Sequence, residues 1–433
     1  MEKAEIIEIL EDWNFWNKEH DVGIIREDYL KRIEKLAETK QVIAIMGARR
    51  SGKSTIMLQY LKRLVTERNI DPKNTLYVNF EDLRFKKLDL DLLNKIYETY
   101  IEYKQPSSKP FIFLDELHNI GEWERFARTK HELKEAMIFI SSSNEKLLSG
   151  KLASLLTGRH LDIHVFPLDF KEFLRFKEVY IKGESDLISK RRKIKSLLNE
   201  YLEYGGFPLI VLQESKEELL KTYFEDIINK DVIEYHTINH VTKIKSLAKF
   251  YLTNVGRRIS FNKISKLLSL SLDTIERYSY YLEEAYLIKF IKKFSYSVKD
   301  RERTMSVVYV IDNGIRNLLG FKFSKDSGWL YQNAVANYLM RKYDQEGIFY
   351  WMNSLSEEVD FVVKKGLKVK QLIQVCYDLS NNETKEREIK SLLKSSKELK
   401  CNNLLIITDE KEGEEKIRGK RIKYISLWKW LLK

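Results

Sequence analysis

Val42-Ile43-Ala44-Ile45-Met46-Gly47-Ala48-Arg49-Arg50-Ser51-Gly52-Lys53-Ser54 is the stretch that decides the fold of the N-terminal part of this 433-residue chain. Its five apolar residues predict a buried strand, and residues 47–54 match the pattern G-x-x-x-x-G-K-[ST] at every position. A helix is predicted to begin near Thr55. A strand, a glycine-rich loop and a helix N-terminus in this order are typical of a P-loop, because the loop amides and the helix dipole both attract a phosphate.

Each part of the loop has an expected role toward a nucleotide. Lys53 is expected to bridge the β- and γ-phosphates, and the Ser54 hydroxyl to ligate magnesium. The sequence therefore predicts ATP and Mg²⁺ at this loop. The residues predicted to surround the phosphates are Gly47, Ala48, Arg49, Arg50, Ser51, Gly52, Lys53, Ser54 and Thr55.

A second motif places two acids directly after the apolar strand Phe111–Leu114. Asp115 is expected to hold the magnesium shell, and Glu116 to orient and deprotonate the attacking water. A strand that simply ends at a charged turn is the alternative, which the P-loop makes less favourable. A further strand, Leu76–Phe80, lies between the two motifs in sequence. This arrangement resembles the division of P-loop ATPases that has an added strand and a catalytic glutamate, which includes AAA+ proteins.

The apolar strand Ile138–Ser141 also ends in polar residues, Ser142, Ser143 and Asn144. It resembles the sensor strand of AAA+ ATPases, whose polar tip contacts the γ-phosphate or the attacking water. By this resemblance Ser143 or Asn144 would make that contact. A serine-rich turn without a role in the reaction is an equally good interpretation of these residues.

The predicted fold class is α/β. Strands at Val42–Met46, Leu76–Phe80, Phe111–Leu114, Ile138–Ser141 and Ile163–Phe166 are separated mostly by helical stretches, which indicates a parallel sheet covered on both faces. The predicted domains are a P-loop ATPase core at 1–166, a mostly helical lid at 167–240, a winged-helix domain at 241–324 and an α/β domain at 325–433.

The third predicted domain is strongly basic. Residues 241–310 contain 14 Lys or Arg against 6 Asp or Glu. Helices at Ile244–Thr253, Asn262–Leu268 and Leu272–Glu284 are followed by strands at Leu287–Ser295 and Met305–Ile311, with the charged segment 298–303 between them. This pattern predicts a helix-turn-helix with a β-hairpin wing. DNA is the expected partner, and a winged helix used for protein contacts is the alternative. The residues expected to contact DNA are Arg277, Lys299, Arg301 and Arg303.

Several motifs together resemble one family. They are Ser141-Ser142-Ser143, Leu147-Leu148-Ser149-Gly150, Leu156-Thr157-Gly158-Arg159 and Phe166-Pro167-Leu168-Asp169-Phe170-Lys171-Glu172-Phe173-Leu174. The family comprises the prokaryotic and archaeal AAA+ ATPases that carry a winged helix and a C-terminal restriction-endonuclease-like domain. The resemblance implies an arginine finger or sensor at Arg159, acting within the chain or from a neighbouring subunit. It also implies a homo-oligomer, with a hexamer as one arrangement. Gly206-Phe207-Pro208 is similar to the Gly-x-Pro motif of related ATPases, in which Pro208 would touch the nucleotide; an ordinary interhelical turn is the alternative.

The resemblance extends to the last domain, although its nuclease motif is degenerate. Asp360 matches the first acid of the family's nuclease motif, but Gln374-Val375-Cys376 stands where that motif has acid-x-Lys. Asn333 stands at the helix position where an acid is often found. One carboxylate without a second acid or the lysine holds a catalytic metal poorly. Nuclease activity is therefore not expected.

The whole-chain composition is that of a globular protein, with 43% hydrophobic residues and 32% charged residues. The net charge of +12 favours anionic partners. No apolar run approaches the roughly 18 residues of a membrane span, and the N-terminus lacks the apolar segment of a signal peptide, so a cytoplasmic location without membrane contact is expected. Cys376 and Cys401 form no CxxC pair and indicate neither a disulfide framework nor a zinc site.

The expected function is ATP hydrolysis coupled to binding or remodelling DNA, with branched DNA among the candidate substrates. One alternative is a slow, ATP-dependent regulatory switch that acts on a protein partner. The other is an ATP-dependent nuclease, which would require the last domain to cleave DNA despite its degenerate motif.

Overall fold

The chain folds into two compact units in the computed structural model, which describes residues 1–144, 156, 158–320, 327–343 and 347–433. The first unit contains Met1–Val165 together with Glu284–Tyr286, and the second contains Phe166–Glu283 and Leu287–Lys433. The predicted α/β class is confirmed. The motif residues 147–150 lie outside the described residues.

A five-stranded parallel sheet forms the centre of the first unit, with the strand order β2-β3-β4-β1-β5. The predicted strand Val42–Met46 is confirmed to the residue, whereas the fifth strand begins three residues before its predicted start. The strands are β1 (Val42–Met46), β2 (Thr75–Asn79), β3 (Phe111–Asp115), β4 (Met137–Ser142) and β5 (His160–His164). The helices are α1 (Lys3–Trp13), α2 (Glu27–Ala37), α3 (Lys53–Thr66), α4 (Leu90–Lys104) and α5 (Trp123–Glu132), and short 3₁₀ turns span Pro72–Asn74 and Leu117–Asn119.

Helix α3 packs on the centre of this sheet. Ile56 and Tyr60 of the helix join a buried cluster with Ile43, Phe113 and Phe139 from three neighbouring strands. The rings of Phe113 and Phe139 stack at 4.6 Å between centroids. Because β1 and β4 are buried along their whole length, both are largely apolar, and the two serines at the end of β4 are the exception. This packing fixes where the strands end, and therefore where the P-loop begins.

The N-terminal segment covers β2, which is an edge strand. Asn14 Oδ1 accepts a hydrogen bond from Tyr77 N (2.6 Å), and Asn14 Nδ2 donates to Tyr77 O (2.9 Å). Trp16 Nε1 donates to Thr75 O (2.8 Å). Side chains thus satisfy backbone groups of the edge strand that would otherwise be open to another chain.

The second unit contains two sheets. A three-stranded antiparallel sheet has the order β6-β8-β7, and a six-stranded mixed sheet has the order β13-β14-β12-β11-β10-β9. The strands are β6 (Arg258–Ile259), β7 (Ile288–Ile291), β8 (Ser306–Val310), β9 (Ile348–Met352), β10 (Glu358–Lys365), β11 (Lys368–Val375), β12 (Leu404–Thr408), β13 (Gly413–Ile417) and β14 (Lys420–Ser426).

Along the chain, the described helices of the second unit lie before, between and after these strands. They span Phe170–Phe176, Glu184–Ser189, Arg191–Tyr204, Pro208–Leu212, Lys216–Asp226, Val241–Thr253, Phe261–Leu268, Leu272–Glu284, Val298–Arg303, Asn313–Leu319, Ser327–Lys342, Asn382–Glu398 and Leu427–Leu431, with a π-helical segment at Ile227–Glu234.

The charged segment 298–303, predicted as the tip that joins two strands, is a short helix between the antiparallel strands β7 and β8. Ser297 caps this helix, since its Oγ accepts a hydrogen bond from Asp300 N (3.2 Å). A serine cap and an acid in the first turn both favour a helix N-terminus. The flanking strands β7 and β8 are accordingly shorter than predicted.

A buried carboxylate joins two loops of the second unit. Asp312 Oδ2 accepts a hydrogen bond from Gly206 N (2.7 Å), and Asp312 Oδ1 accepts one from Gly314 N (2.8 Å). Gly205 has a φ of +79°, and a Cβ there would meet Asp312 Oδ1 at 1.8 Å, so the close approach requires glycine. Burial raises the pKa of Asp312 to about 6, although these amide hydrogen bonds lower it.

We expect the stability contributed by Asp312 to fall as the pH rises. Its folded pKa of about 6 lies above its ordinary value of 3.8, so the contribution is complete below about pH 4 and is lost through about pH 6. The loss should approach about 3 kcal/mol, since one pKa unit corresponds to about 1.4 kcal/mol. Urea unfolding of the wild type and Asp312→Asn from pH 4 to 8 measures it. Asp312→Asn should be less stable at low pH, because its amide opposes an N–H donor, and the gap should narrow as the pH rises. Parallel pH curves would contradict this expectation.

Candidate functional site

The P-loop leaves the carboxyl end of β1 and turns into the N-terminus of α3. Gly47 has a φ of +151°, and a Cβ there would lie 2.0 Å from Val165 O, so only glycine fits. Gly52 caps α3 in the left-handed region, with a φ of +99°. Lys53 is the first residue of the helix, and its Nζ donates to Ala48 O (3.3 Å). The loop therefore closes around its own lysine beside a helix N-terminus, an arrangement that favours phosphate.

The acid at the end of β3 lies in the middle of a hydrogen-bond network. Asp115 is 1% exposed. Its Oδ2 accepts a hydrogen bond from Tyr77 Oη (2.6 Å), and its Oδ1 accepts one from Ser141 Oγ. Burial raises the pKa of Asp115, while hydrogen bonds that include one from Ser54 lower it. The Ser54 hydroxyl therefore lies near Asp115, although the two residues belong to separate motifs.

Glu116 faces the P-loop lysine. Its Oε1 lies 3.3 Å from Lys53 Nζ, and its Oε2 lies 3.2 Å from His118 Nδ1. Ser143 N also donates to Oε2 (3.1 Å). The backbone of Glu116 is left-handed, with a φ of +52°, and its N–H donates to Ser141 Oγ (2.9 Å). This conformation turns the carboxylate away from the strand axis and toward Lys53.

The two acids have opposite electrostatic environments. Burial alone would raise the pKa of Glu116, but the Lys53 ammonium and the hydrogen bond with His118 outweigh it, so that the pKa of Glu116 lies below its ordinary range. Burial and the charge on Glu116 raise the pKa of Asp115. Glu116 is therefore held as a carboxylate.

The donor set suits a nucleotide with a magnesium ion. The Ser54 hydroxyl and the Asp115 carboxylate are oxygen ligands of the kind that Mg²⁺ prefers. Lys53 and the amides that begin α3 provide positive potential for phosphate. Arg50 takes a left-handed conformation in the loop (φ +67°), and Thr55 is exposed in the first turn of α3.

Two arginines make contacts at the P-loop, one from outside the loop and one from within it. Arg26 is 2% exposed, and its Nη1 donates to Ser51 O in the P-loop (2.8 Å). Arg49 Nη1 lies 2.7 Å from Glu81 Oε1, in the segment after β2. The sequence motif includes Arg49 but gives no sign of Arg26, which lies before α2. No local sequence signal predicts that Arg26 contacts Ser51, because this contact depends on the path of residues 17–26.

The polar tip of β4 lies at the same edge of the sheet. Ser143 contributes its backbone N–H to Glu116, and Asn144 N donates to Ser142 Oγ (3.0 Å). Ser141, which was predicted only as the end of the strand, is the residue whose hydroxyl contacts Asp115. The register pairs Leu114 with Ile140 and so makes Ser141 the neighbour of Asp115. The contact between Ser141 and Asp115 could not be predicted without this register.

Arg159 lies at the opposite edge of the sheet. It precedes β5, and its carbonyl accepts a hydrogen bond from Val42 N (2.9 Å), the first residue of β1. Its Nη2 lies 3.0 Å from Glu132 Oε1. A five-residue strand is about 16 Å long, so Arg159 and the P-loop lie at opposite ends of β1 and β5. The role of Arg159 as an arginine finger or sensor, within the chain or toward a neighbouring subunit, stays a prediction.

The other predicted site residues belong to the second unit. Pro208 is the first residue of the helix Pro208–Leu212. Lys299 is exposed, and Arg277 is exposed with its Nη1 3.5 Å from Asp273 Oδ2. Arg301 is only partly exposed, and its guanidinium lies 5.9 Å from the centre of the Phe349 ring. The side chain of Arg303 lies outside the described part of the chain.

The residues that resemble a degenerate nuclease motif in the sequence are joined by hydrogen bonds. Asp360 Oδ1 accepts a hydrogen bond from Gln332 Nε2 (2.6 Å), and Oδ2 accepts one from Val375 N (2.7 Å). Gln374 Nε2 donates to Glu388 Oε2. Burial raises the pKa of Asp360 well above its ordinary value.

The helix residue that contacts Asp360 is Gln332 and not its neighbour Asn333. Asn333 donates instead to Val310 O (3.0 Å) and Asn313 Oδ1 (2.8 Å). Successive residues along a helix differ in direction by about 100°, so these two neighbours contact different groups. Among the described residues, no group of three or more His, Cys, Asp or Glu is arranged to hold a metal ion.

Within the described ranges, no helix combines the length and the apolar character that crossing a membrane requires.

Three known families match successive parts of the chain. A family described as AAA domain matches residues 39–174. Two families described as domains of unknown function, DUF8612 and DUF4143, match residues 195–327 and 327–430. Among solved structures, the Walker-type ATPase PABY2304 of Pyrococcus abyssi is similar with a TM-score of 0.43 and 13% identity, over 68% of this chain and 95% of that one.

Two relatives match over nearly their whole length. The uncharacterized protein MJ1544 of Methanocaldococcus jannaschii is 36% identical over 90% of this chain and 88% of its own. An uncharacterized protein of Haemophilus influenzae is 30% identical over 94% of this chain and 98% of its own. The chain therefore belongs to one family with these two proteins, and it carries an AAA-type ATPase fold in its first unit.

Proposed function

We propose that the first unit binds ATP with magnesium and hydrolyses it, and that the reaction is coupled to binding or remodelling DNA. The observation that carries the ATPase proposal is the meeting of two motifs at one edge of the sheet. Lys53 Nζ lies 3.3 Å from Glu116 Oε1, and the Ser54 hydroxyl lies near enough to Asp115 to lower the pKa of that carboxyl. A buried lysine, a hydroxyl and two carboxylates close together form a site for phosphoryl transfer to water.

The roles follow from these contacts. Lys53 and the α3 amides would bind the β- and γ-phosphates, and Ser54 and Asp115 would hold magnesium. Magnesium, when bound, would neutralise charge that develops on the phosphate oxygens. Glu116 would accept the proton of the attacking water. The γ-phosphate would compete with Glu116 for Lys53, and loss of this cation would make Glu116 a stronger base.

The DNA part of the proposal is supported by the region 241–310. The elements Val241–Thr253, β6, Phe261–Leu268, Leu272–Glu284, β7 and β8 follow the order of a winged helix. Lys299 and Arg277 are exposed there. Exposed cations that meet phosphate release counterions and so give sequence-independent affinity.

A switch acting on a protein partner is the second candidate, and a specific feature favours it. The exposed side of the helix Leu272–Glu284 carries Asp273 and Glu276 as well as Arg277, and Arg277 is already paired with Asp273. A face with more acids than bases is poorly suited to the DNA backbone. Leu272 and Tyr280 are also 39% and 47% exposed, as residues at a protein interface commonly are.

The two candidates differ in their response to DNA. We expect duplex, single-stranded or four-way-junction DNA to raise the ATPase rate of the wild type. The variant Lys299→Ala/Arg277→Ala should bind DNA more weakly and show a salt slope smaller by about 2, because two phosphate contacts are lost. Lys193→Ala, which removes an exposed cation elsewhere in the same unit, is the control. An ATPase rate that no DNA changes would favour the protein-directed switch.

Two further parts of the proposal concern assembly and cleavage. We propose that Arg159 acts on the site of a neighbouring subunit in a homo-oligomer, for which a hexamer is one arrangement. ATPase activity per chain should then rise with protein concentration, and a constant value would exclude this role. We also propose that the second unit does not cleave DNA, because both oxygens of Asp360 are occupied by protein donors. Magnesium-dependent cleavage that disappears in Asp360→Ala would overturn that view.

A further inference from the structure

His118 contacts the carboxylate assigned to the attacking water but belongs to neither nucleotide motif. The 3₁₀ turn Leu117–Asn119 follows Glu116 directly, and the left-handed backbone of Glu116 bends the chain back on itself. His118 Nδ1 consequently lies 3.2 Å from Glu116 Oε2. The same nitrogen lies 3.4 Å from Ser142 Oγ, at the tip of β4. The His118 side chain is 10% exposed, so packing restricts its rotation.

The two oxygens of Glu116 have different partners. Oε1 faces Lys53, whereas Oε2 is held by His118 and by Ser143 N. In the proposed reaction Lys53 must turn to the phosphates, so Oε1 loses its partner when ATP binds. His118 and Ser143 N are then the contacts that keep the carboxylate in place while Oε1 faces the water. Ser143 contributes a backbone group, so His118 is the side chain by which this anchoring can be tested.

We propose that His118 is a positioning residue for ATP hydrolysis, which holds Glu116 through Oε2 so that Oε1 can accept the proton of water. The inference rests on the proposed ATPase activity. It requires the tautomer with hydrogen on Nδ1, which makes His118 the donor to Glu116. His118 does not contact the nucleotide in this account, so it acts on the rate of the reaction and not on ATP affinity.

The test compares His118→Ala with His118→Asn. The asparagine amide nitrogen falls close to the position of histidine Nδ1 and can donate the same hydrogen bond, whereas alanine cannot. We expect His118→Ala to lower kcat by about 10- to 100-fold, because misplacing a catalytic group by about 1 Å costs on this scale. KM and the affinity for a fluorescent ATP analogue should change by less than about threefold. His118→Asn should recover at least half of the lost activity on a logarithmic scale.

A matched histidine controls for burial. His131 is partly buried in the same unit, and its Nε2 lies 3.2 Å from Gln41 Oε1, just before β1 and away from the P-loop. His131→Ala should leave kcat unchanged. A wild-type kcat in His118→Ala would overturn the inference while leaving the ATPase intact, and so would an Asn variant no better than Ala. Loss of analogue binding in His118→Ala would also overturn it, because the role would then be structural. A wild type without Lys53-dependent ATPase activity would instead overturn the proposed function, and this inference with it.

Discussion

Replacing Glu116 by glutamine is expected to lower the kcat for ATP by about 10²–10⁴-fold, the usual contribution of a general base. The amide has nearly the shape of the carboxylate and can still accept a hydrogen bond from Ser143 N, so ATP binding should persist. KM should stay within a few-fold of the wild-type value. Steady-state ATPase assays, together with equilibrium binding of a fluorescent ATP analogue, separate the two effects.

The matched control for this variant is Glu122→Gln. Glu122 lies shortly after the 3₁₀ turn Leu117–Asn119, and its Oε2 lies 2.7 Å from Arg125 Nη1 on the exposed surface. It should keep wild-type kcat. If Glu116→Gln retained more than about a tenth of the wild-type rate, Glu116 would not be the base, and Asp115 would become the acid to examine.

Replacing Lys53 by alanine is expected to abolish nucleotide-dependent stabilisation. The wild type should gain about 2.7 kcal/mol of unfolding free energy at a nucleotide concentration 100 times its Kd. The variant should gain almost nothing at the same concentration, because the cation between the phosphates is lost. Urea unfolding with and without ATP and magnesium measures both values. An undiminished gain in Lys53→Ala would contradict the proposed site.

The same variant should also be less stable without nucleotide. Lys53 and Glu116 are 4% and 5% exposed, and removing one partner of a buried ion pair costs about 3–5 kcal/mol. Arg49 and His118 remain near Glu116 in the variant. The loss of unfolding free energy should therefore lie toward the lower end of this range. Adding Glu116→Gln to Lys53→Ala should recover much of this loss, because no buried charge then lacks its partner. Lys62→Ala, on the same helix and partly exposed, should show neither effect.

The acids of the proposed nucleotide site differ from Asp360 in the partners that surround them. Asp115 and Glu116 keep a lysine and a helix N-terminus beside them, so nucleotide phosphates can replace internal partners. Asp360 has glutamine and backbone donors on both oxygens, and the nearby acid Glu388 is tied to Gln374. Both oxygens of Asp360 thus have neutral donors from the protein itself, and Glu388 is also paired with Arg387, so these carboxyl groups offer little to a charged substrate.

The P-loop and the acidic strand end were predictable because each is encoded in one short, continuous stretch. The five apolar residues 42–46, the two glycines and Lys53 specify strand, loop and helix without help from the rest of the chain. The parallel sheet was predictable for a similar reason, since apolar runs alternate with helical stretches. The ends of the strands were less predictable. The fifth strand was predicted at Ile163–Phe166, but residues 165 and 166 form a loop that follows β5.

Contacts between remote residues could not be predicted from the sequence. Arg26 meets Ser51, Asn14 pairs with Tyr77, and the register beside Asp115 brings in Ser141. Each depends on strand order and on the path of a connecting segment, neither of which hydrophobic periodicity encodes. His118 was missed for another reason. It lies two residues from Glu116, but only the left-handed backbone at Glu116 brings their side chains together.

By itself, therefore, the sequence determined that this chain has a P-loop, an acidic strand end and a parallel α/β core, since local patterns of polarity and glycine specify them. The tertiary structure alone decided which side chains complete the site and which do not. It put Arg159 at the far edge of the sheet and Gln332 beside Asp360. The physical reason is that strand register and helix rotation, which set these distances, arise from packing of the whole unit.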